Sequence, residues 1–272
     1  MPRLTVTVFA PAWGLPSLSP QCTHVLTTLR FFSVHTQEHL TVVHAPGAKL
    51  SPRTALPVLT LESGRTFAYS PDLLDALADL GLDLDASADL STRERADLAA
   101  YAALVEDALQ PALLQAWWLD QTNYEAVIRP TYAASLPFPQ SLYHPWQMQR
   151  RTHAYLARRG AQSAAQVHAS AVRALEALAV RLGDAPFFGG RRPCSLDALA
   201  FAYLATIHRC PLPADRLSRA LAAHANLVAF CERVSTAYFQ DVDGGGESVP
   251  RGPVEPRAAA AAAVAGGPPT AS

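Results

Sequence analysis

The chain has 272 residues, half of them apolar and 17% charged, which is the composition of a globular protein and not of a disordered one. Its 22 Lys and Arg against 23 Asp and Glu leave a net charge of −1, which speaks against a nucleic-acid partner and against a polybasic membrane anchor. Four cysteines, Cys22, Cys194, Cys210 and Cys231, lie far apart without a C-x-x-C pair, so they read as free thiols of a reducing compartment.

Met1 to Phe9 has neither the basic flank nor the apolar core of a signal peptide, and it lacks the arginine-rich pattern of a mitochondrial presequence. Leu4–Phe9 is a β-prone run. After a proline-rich loop, Ser19-Pro20 has the form of an N-cap with proline at N1, and Cys22, Val25, Leu26, Leu29 and Phe32 follow at helical spacing. Leu40–Val43 and Leu56–Leu59 are further strand candidates, the latter with an awkward internal Pro57. Thr66–Ala68 is one more short candidate, and Ser70-Pro71 opens a helix over Asp72–Leu80. The order is β-α-β-β-α, an α/β unit.

From Ser91 the pattern turns helical. Ser91 and Glu94 form a capping box, and the helix they open runs through Leu98, Val105 and Leu109, with Trp117 and Trp118 following its end. A loop rich in proline and aromatics is expected over Pro130–Pro145, then helices at Trp146–Arg158, Ser163–Leu182, from Ser195 through Ile207, Ala214–Ala222 and Leu227–Tyr238. No apolar stretch reaches the ~18 residues of a spanning helix, and the longest, Leu199–Ile207, is too short. The chain therefore divides into 1–85, 86–240 and a low-complexity, disordered tail over 241–272, which carries the alanine run Ala258–Ala263.

A β-α-β-β-α unit followed by helices resembles the glutathione-transferase architecture: a thioredoxin-like N-terminal domain and an all-helical C-terminal domain. Leu56-Pro57-Val58-Leu59 looks like that fold's cis-proline strand start, Ser19-Pro20-Gln21-Cys22 stands where thioredoxin-like relatives carry C-P-x-C, and Tyr69-Ser70 and Cys194-Ser195-Leu196-Asp197 occupy two further signature positions. Trp117 to Tyr124, Arg129, Tyr132-Ala133, Pro137-Phe138-Pro139, Met148-Gln149-Arg150 and Ser195 to Ala198 resemble the metaxin family more specifically. That resemblance implies a non-catalytic subunit of mitochondrial outer-membrane protein import and of the sorting and assembly machinery. It further implies peripheral attachment on the cytosolic face, through a β-barrel assembly core protein and a second metaxin-like chain. Several metaxins end in a membrane helix, whereas this chain ends in alanine and glycine.

The residues leave several alternatives. Thiol chemistry in this fold uses a thiolate at the first helical turn, and Ser19 stands at that position here. Ser19 is then either a helix cap, with Cys22 a core residue, or the serine of a glutathione transferase. Ser70 is either a cap or a glutathione contact weakened by Tyr69 before it. Trp117, Trp118, Asp120, Asn123 and Tyr124 form either an interaction patch or part of the core; adjacent residues point ~100° apart on a helix, so one tryptophan inside and one at the surface is the expected compromise. Pro137, Phe138 and Pro139 form either a binding loop or a segment packed back on the helices. Asp197, with Ser195, is expected to cap the helix that begins there by accepting first-turn amides. The nine histidines are scattered, His35, His39 and His44 among them, with no metal-ligand spacing; neither a metal nor a cofactor is expected.

Overall fold

A computed structural model describes residues 3–32, 40–44, 56–160 and 163–243. His35, His39 and residues 244–272 of the expected tail lie outside the described residues.

The first unit is a four-stranded sheet of order β2-β1-β3-β4, with β1 (Leu4–Val8) parallel to β2 (Leu40–His44) and antiparallel to β3 (Val58–Leu61), which pairs in turn with β4 (Thr66–Ala68). Val6 stands opposite both Val42 and Leu59. The period-two pattern of β1 buries Leu4, Val6 and Val8, which pack with Cys22, Val25, Leu26 and Leu29 of α1 (Pro20–Phe31) and with Leu73 and Leu77 of α2 (Pro71–Asp79). The Leu56–Pro57 bond is cis, and Pro57 precedes β3 instead of interrupting it.

A short α3 (Leu84–Ser87) leads to α4 (Thr92–Leu104), which opens with the expected Ser91–Glu94 capping box. The helix does not stop before the tryptophans. It continues through a π-helical turn at Val105–Leu109, α5 (Gln110–Leu114) and a second π-helical turn at Gln115–Leu119 that carries both Trp117 and Trp118. The expected loop over Pro130–Pro145 is also largely helical. After α6 (Gln121–Asn123) and a third π-helical turn come α7 (Arg129–Ala134) and α8 (Gln140–Arg158). Pro130 sits in the first turn of α7, where its missing N–H is harmless, and Pro145 falls early in α8.

The remaining helices are α9 (Ala164–Leu182), α10 (Ser195–Arg209), α11 (Arg216–Ala222), α12 (Ala225–Tyr238) and α13 (Gln240–Asp243). The first three residues of the expected tail thus belong to α13, where Asp241 meets Arg30 in a two-pronged ion pair at 2.6 and 2.7 Å. Every residue from Leu196 to Ile207 is buried, making α10 the axis of the helical unit.

Asp197 acts on the other side of the helix start from the one expected. It is the N3 residue, and its carboxylate accepts the amides of Cys194 at 2.9 Å and Phe188 at 2.7 Å, with that of Gly189 at 3.4 Å, so it ties the preceding loop to the helix. The loop tolerates no side chain at Gly189, whose added Cβ would lie 2.7 Å from the Arg192 carbonyl oxygen. Ser195 does not share this work. Its amide and hydroxyl both donate at 2.8 Å to Asp85, which sets a carboxylate from the first unit on the N-terminus of α10.

Asp197→Ala would leave buried amides without acceptors, so it is expected to cost on the order of 2–4 kcal/mol, with Asp85→Ala costing less. Thermal denaturation followed by circular dichroism checks this; an unchanged midpoint in Asp197→Ala would remove the clamp from the account.

His24, buried in α1, gives a pH test. Burial lowers its pKa to about 4 from 6.5, so the folded state binds fewer protons than the unfolded chain between those values. Stability is therefore lost as pH falls from about 6.5 toward 4, by at most ~1.4 kcal/mol per pH unit. Burial raises Asp197 to about 6, which gives an opposite slope, and that slope cancels when wild type is compared with His24→Asn. The difference in unfolding free energy between the two proteins is expected to change with pH over that window, and a flat difference counts against it.

Candidate functional site

Where the sheet unit meets the helical unit the structure encloses a cavity of about 360 Å³, within the size range of small-molecule sites. Phe9, Ser19, Gln21, Leu56 and Tyr69 line it from the first unit, and Leu113, Leu114, Trp117, Trp118, Tyr132 and Tyr203 from the second. The polar groups of Gln110, Gln140, His144, Gln147 and Arg151 complete the wall.

Two arms of the first unit set its floor. Ser19 holds the N-cap position of α1, but its side chain does not cap; the hydroxyl donates to Gln21 Oε1 at 2.9 Å. Gln21 is also hydrogen-bonded to Tyr203. The Ser19 proton is thus committed within the chain, whereas a serine that activates a thiol must offer that proton to the sulfur. Cys22 points into the sheet core, and burial pushes its thiol up to about 11, so it supplies no thiolate at neutral pH. Tyr69 is the second arm. Its hydroxyl lies 2.9 Å from His24 Nδ1, a hydrogen bond whose donor depends on the imidazole tautomer, and burial raises the phenol far above its ordinary range. Ser70 likewise stands at an N-cap without capping and donates to the Ala68 carbonyl at 3.2 Å.

The candidate interaction patch is mostly interior. Trp117 and Trp118 are only 2% and 1% exposed, and Asn123 and Tyr124 are buried as well. The expected compromise of one tryptophan in and one out fails because the long helix is covered on two sides. Trp13 packs edge-on against Trp117 at 5.7 Å, while Tyr132 lies 4.9 Å from Trp118. Asn123 joins segments distant in sequence, donating to the carbonyls of Ala116 and Ala214 and accepting the Ala214 amide. Asp120 caps α6 by accepting the Asn123 amide. Trp117 and Trp118 build the cavity wall, Asn123 and Tyr124 are buried in support of it, and Asp120 alone of the five is half-buried.

Pro137, Phe138 and Pro139 are different: all three are exposed, so the segment does not pack back on the helices. The Phe138–Pro139 bond is cis. Phe138 is 80% exposed and continues into α8 as a row of uncovered large side chains, Leu142 at 71%, Tyr143 at 41% and Trp146 at 54%. The sequence reading missed Leu142, Tyr143 and Trp146; the four-residue spacing of Phe138, Leu142 and Trp146 signals an apolar helix face but not whether that face is covered. It also missed His144, which lines the cavity with an unpartnered Nδ1 and a pKa lowered by burial and by Arg151. Among the described residues no helix is long and apolar enough to cross a membrane, and no group of three His, Cys, Asp or Glu could hold a metal ion.

Comparison with known proteins gives this geometry a family. Residues 22–149 match the family described as outer mitochondrial membrane transport complex protein, and residues 171–234 match the glutathione S-transferase C-terminal domain. A Metaxin-1 homolog of Caenorhabditis briggsae is 39% identical over 191 residues, 70% of this chain and 60% of that protein. Metaxin-3 of Xenopus laevis is 34% identical over 86% of this chain and 76% of its own length. In structure the chain is similar to a β-etherase from Sphingobium, with a TM-score of 0.55 and 13% identity over 89% of this chain and 97% of the other. That last likeness shows the fold alone: thioredoxin-like, then helical, as in glutathione transferases. With identity above 30% over most of its length and most of the Xenopus relative, the chain belongs to the metaxin family.

Proposed function

We propose that this chain is a non-catalytic subunit of mitochondrial outer-membrane protein import and β-barrel assembly, acting as a protein-binding module. The observation that carries the reading is the match of residues 22–149 to an outer-membrane transport complex family. The site supports it: the Ser19 hydroxyl is engaged by Gln21, Cys22 is kept neutral by burial, and Tyr69 is paired with His24. In this reading the chain has a thioredoxin-like domain over 1–85, a helical domain over 86–240 and a dispensable tail. It is held on the cytosolic face of the outer membrane by a β-barrel assembly core protein and a second metaxin-like chain. Trp117, Trp118, Asp120, Asn123 and Tyr124 serve partner binding by holding the wall behind the exposed Pro137-Phe138-Pro139 segment. A second reading, a glutathione transferase using Ser19 and Ser70, is favoured by Ser19 lining the cavity at the start of α1.

Isolation of the tagged full chain from mitochondrial outer membranes is expected to bring down an integral β-barrel protein and a second transferase-like subunit; recovery as a free cytosolic protein would sink the proposal. With glutathione and a standard chloronitrobenzene electrophile, no turnover above background is expected. Robust turnover abolished by Ser19→Ala would establish the second reading instead. A version ending at Asp243 keeps the Arg30–Asp241 pair and should still fractionate with outer membranes. Release of that version to the cytosol, with its partners still assembled, would make the tail an anchor.

A further inference from the structure

Of the exposed large apolar side chains among the described residues, four fall within nine positions: Phe138, Leu142, Tyr143 and Trp146. Phe138, Leu142 and Trp146 follow one another at four-residue spacing, and the next step is Arg150, whose guanidinium lies 4.8 Å over the Trp146 ring. The row therefore runs from fully apolar, starting at Phe138 in the turn before α8, to cationic along one ridge of that helix.

The charge around it is one-sided. Residues 126–175 contain six arginines and no aspartate or glutamate, in a chain whose net charge is −1. All six, Arg129, Arg150, Arg151, Arg158, Arg159 and Arg173, are exposed. Asp107 reaches in from outside the run to pair with Arg159 at 2.7 Å. The overall balance of charge, which spoke against electrostatic attraction to a membrane, conceals this local excess.

We propose that the Phe138–Trp146 ridge of α8 is a docking face for an anionic phospholipid bilayer. The aromatic and leucine tips enter the interfacial region, and the arginines, Arg150 and Arg158 first among them, meet lipid phosphates. Two features favour a bilayer over a protein partner. Phe138, Leu142 and Trp146 are each more than half exposed within a run that carries arginines and no carboxylate, and an indole with a stacked arginine suits the headgroup level, where amphipathic rings and cations collect. The proposal rests on the reading that the chain works at a membrane, and it adds a direct lipid contact to attachment through partners.

The test is co-sedimentation of the purified full chain with vesicles of phosphatidylcholine alone and of equimolar phosphatidylcholine and phosphatidylserine. Binding to the anionic vesicles is expected, weakened by salt, together with a blue shift of tryptophan emission. Trp117 and Trp118 are buried, and Trp146→Phe should keep binding while losing most of the shift. Leu142→Ser with Phe138→Ser should weaken binding at least about tenfold. Arg150→Glu with Arg158→Glu should weaken it by more than about fivefold, with thermal midpoints near wild type in every variant. Equal behaviour on both vesicle types, or serine and glutamate variants that bind as wild type does, overturns the proposal. So does self-association of the chain, seen by sedimentation velocity and lost in Leu142→Ser, because the ridge would then be a protein contact. A chain that co-isolates with outer-membrane partners yet ignores vesicles refutes the lipid contact alone; one that binds vesicles yet never co-isolates refutes the functional reading.

Discussion

Helix α1 has almost no solvent face, and the arrangement of both units follows from that constraint. Every side chain from Cys22 to Leu29 is buried, because the sheet covers one side of the helix and α10 the other. The sheet side is apolar, with Cys22, Val25, Leu26 and Leu29. The residues between them are polar, and burial is tolerated because each is hydrogen-bonded: Thr27 donates to the Thr23 carbonyl at 2.7 Å and Thr28 to that of His24 at 3.0 Å, while Thr23 donates to the Ser17 carbonyl and His24 pairs with Tyr69. A helix buried on both faces cannot slide without exposing one of them, so it fixes where the two units meet and hence where the cavity lies. Arg30 at its end reinforces the contact through Asp241, and Arg209 does so from the other side by donating to the Gly14 carbonyl at 2.6 Å.

The same burial disarms the positions where this fold performs chemistry. His24, turned toward Tyr69, is held neutral, and Cys22 is held as a thiol. Ser19 faces the cavity but spends its proton on Gln21, which is tied to Tyr203 of α10. The polar groups at the floor of the cavity therefore satisfy one another, which stabilises the junction between the units and leaves little for a substrate to displace. What the interior gives up the exterior supplies, since the uncovered side chains gather on α8, the helix that closes the cavity from outside.

Local rules placed much of this correctly in the sequence. The alternation of Leu4, Val6 and Val8, the proline-started helices and the capping box at Ser91 depend on neighbours within a few residues, and each stands where its pattern put it. Residues without a usable local pattern were misread. Proline suggested a loop over residues 130–145, yet proline in a first turn is compatible with helix, and Pro145 is buried within one. The expected helix end before Trp117 is instead a π-helical turn, whose wider winding departs from the 3.6 period that marks an α-helix.

The sequence alone determined the order of strands and helices in the first unit, the family, the Pro57 and Asp197 landmarks, and the serine that stands in place of a thiolate. These are one-dimensional properties, readable because caps, periods and motifs act over three or four residues. Tertiary structure decided which side chains are inside. It buried both tryptophans by covering their helix from two sides, turned Asp197 to the loop before it and brought Asp85 across 110 positions to Ser195. It also left Phe138, Leu142 and Trp146 uncovered, which no local pattern distinguishes from core, because burial is set by what arrives from far along the chain.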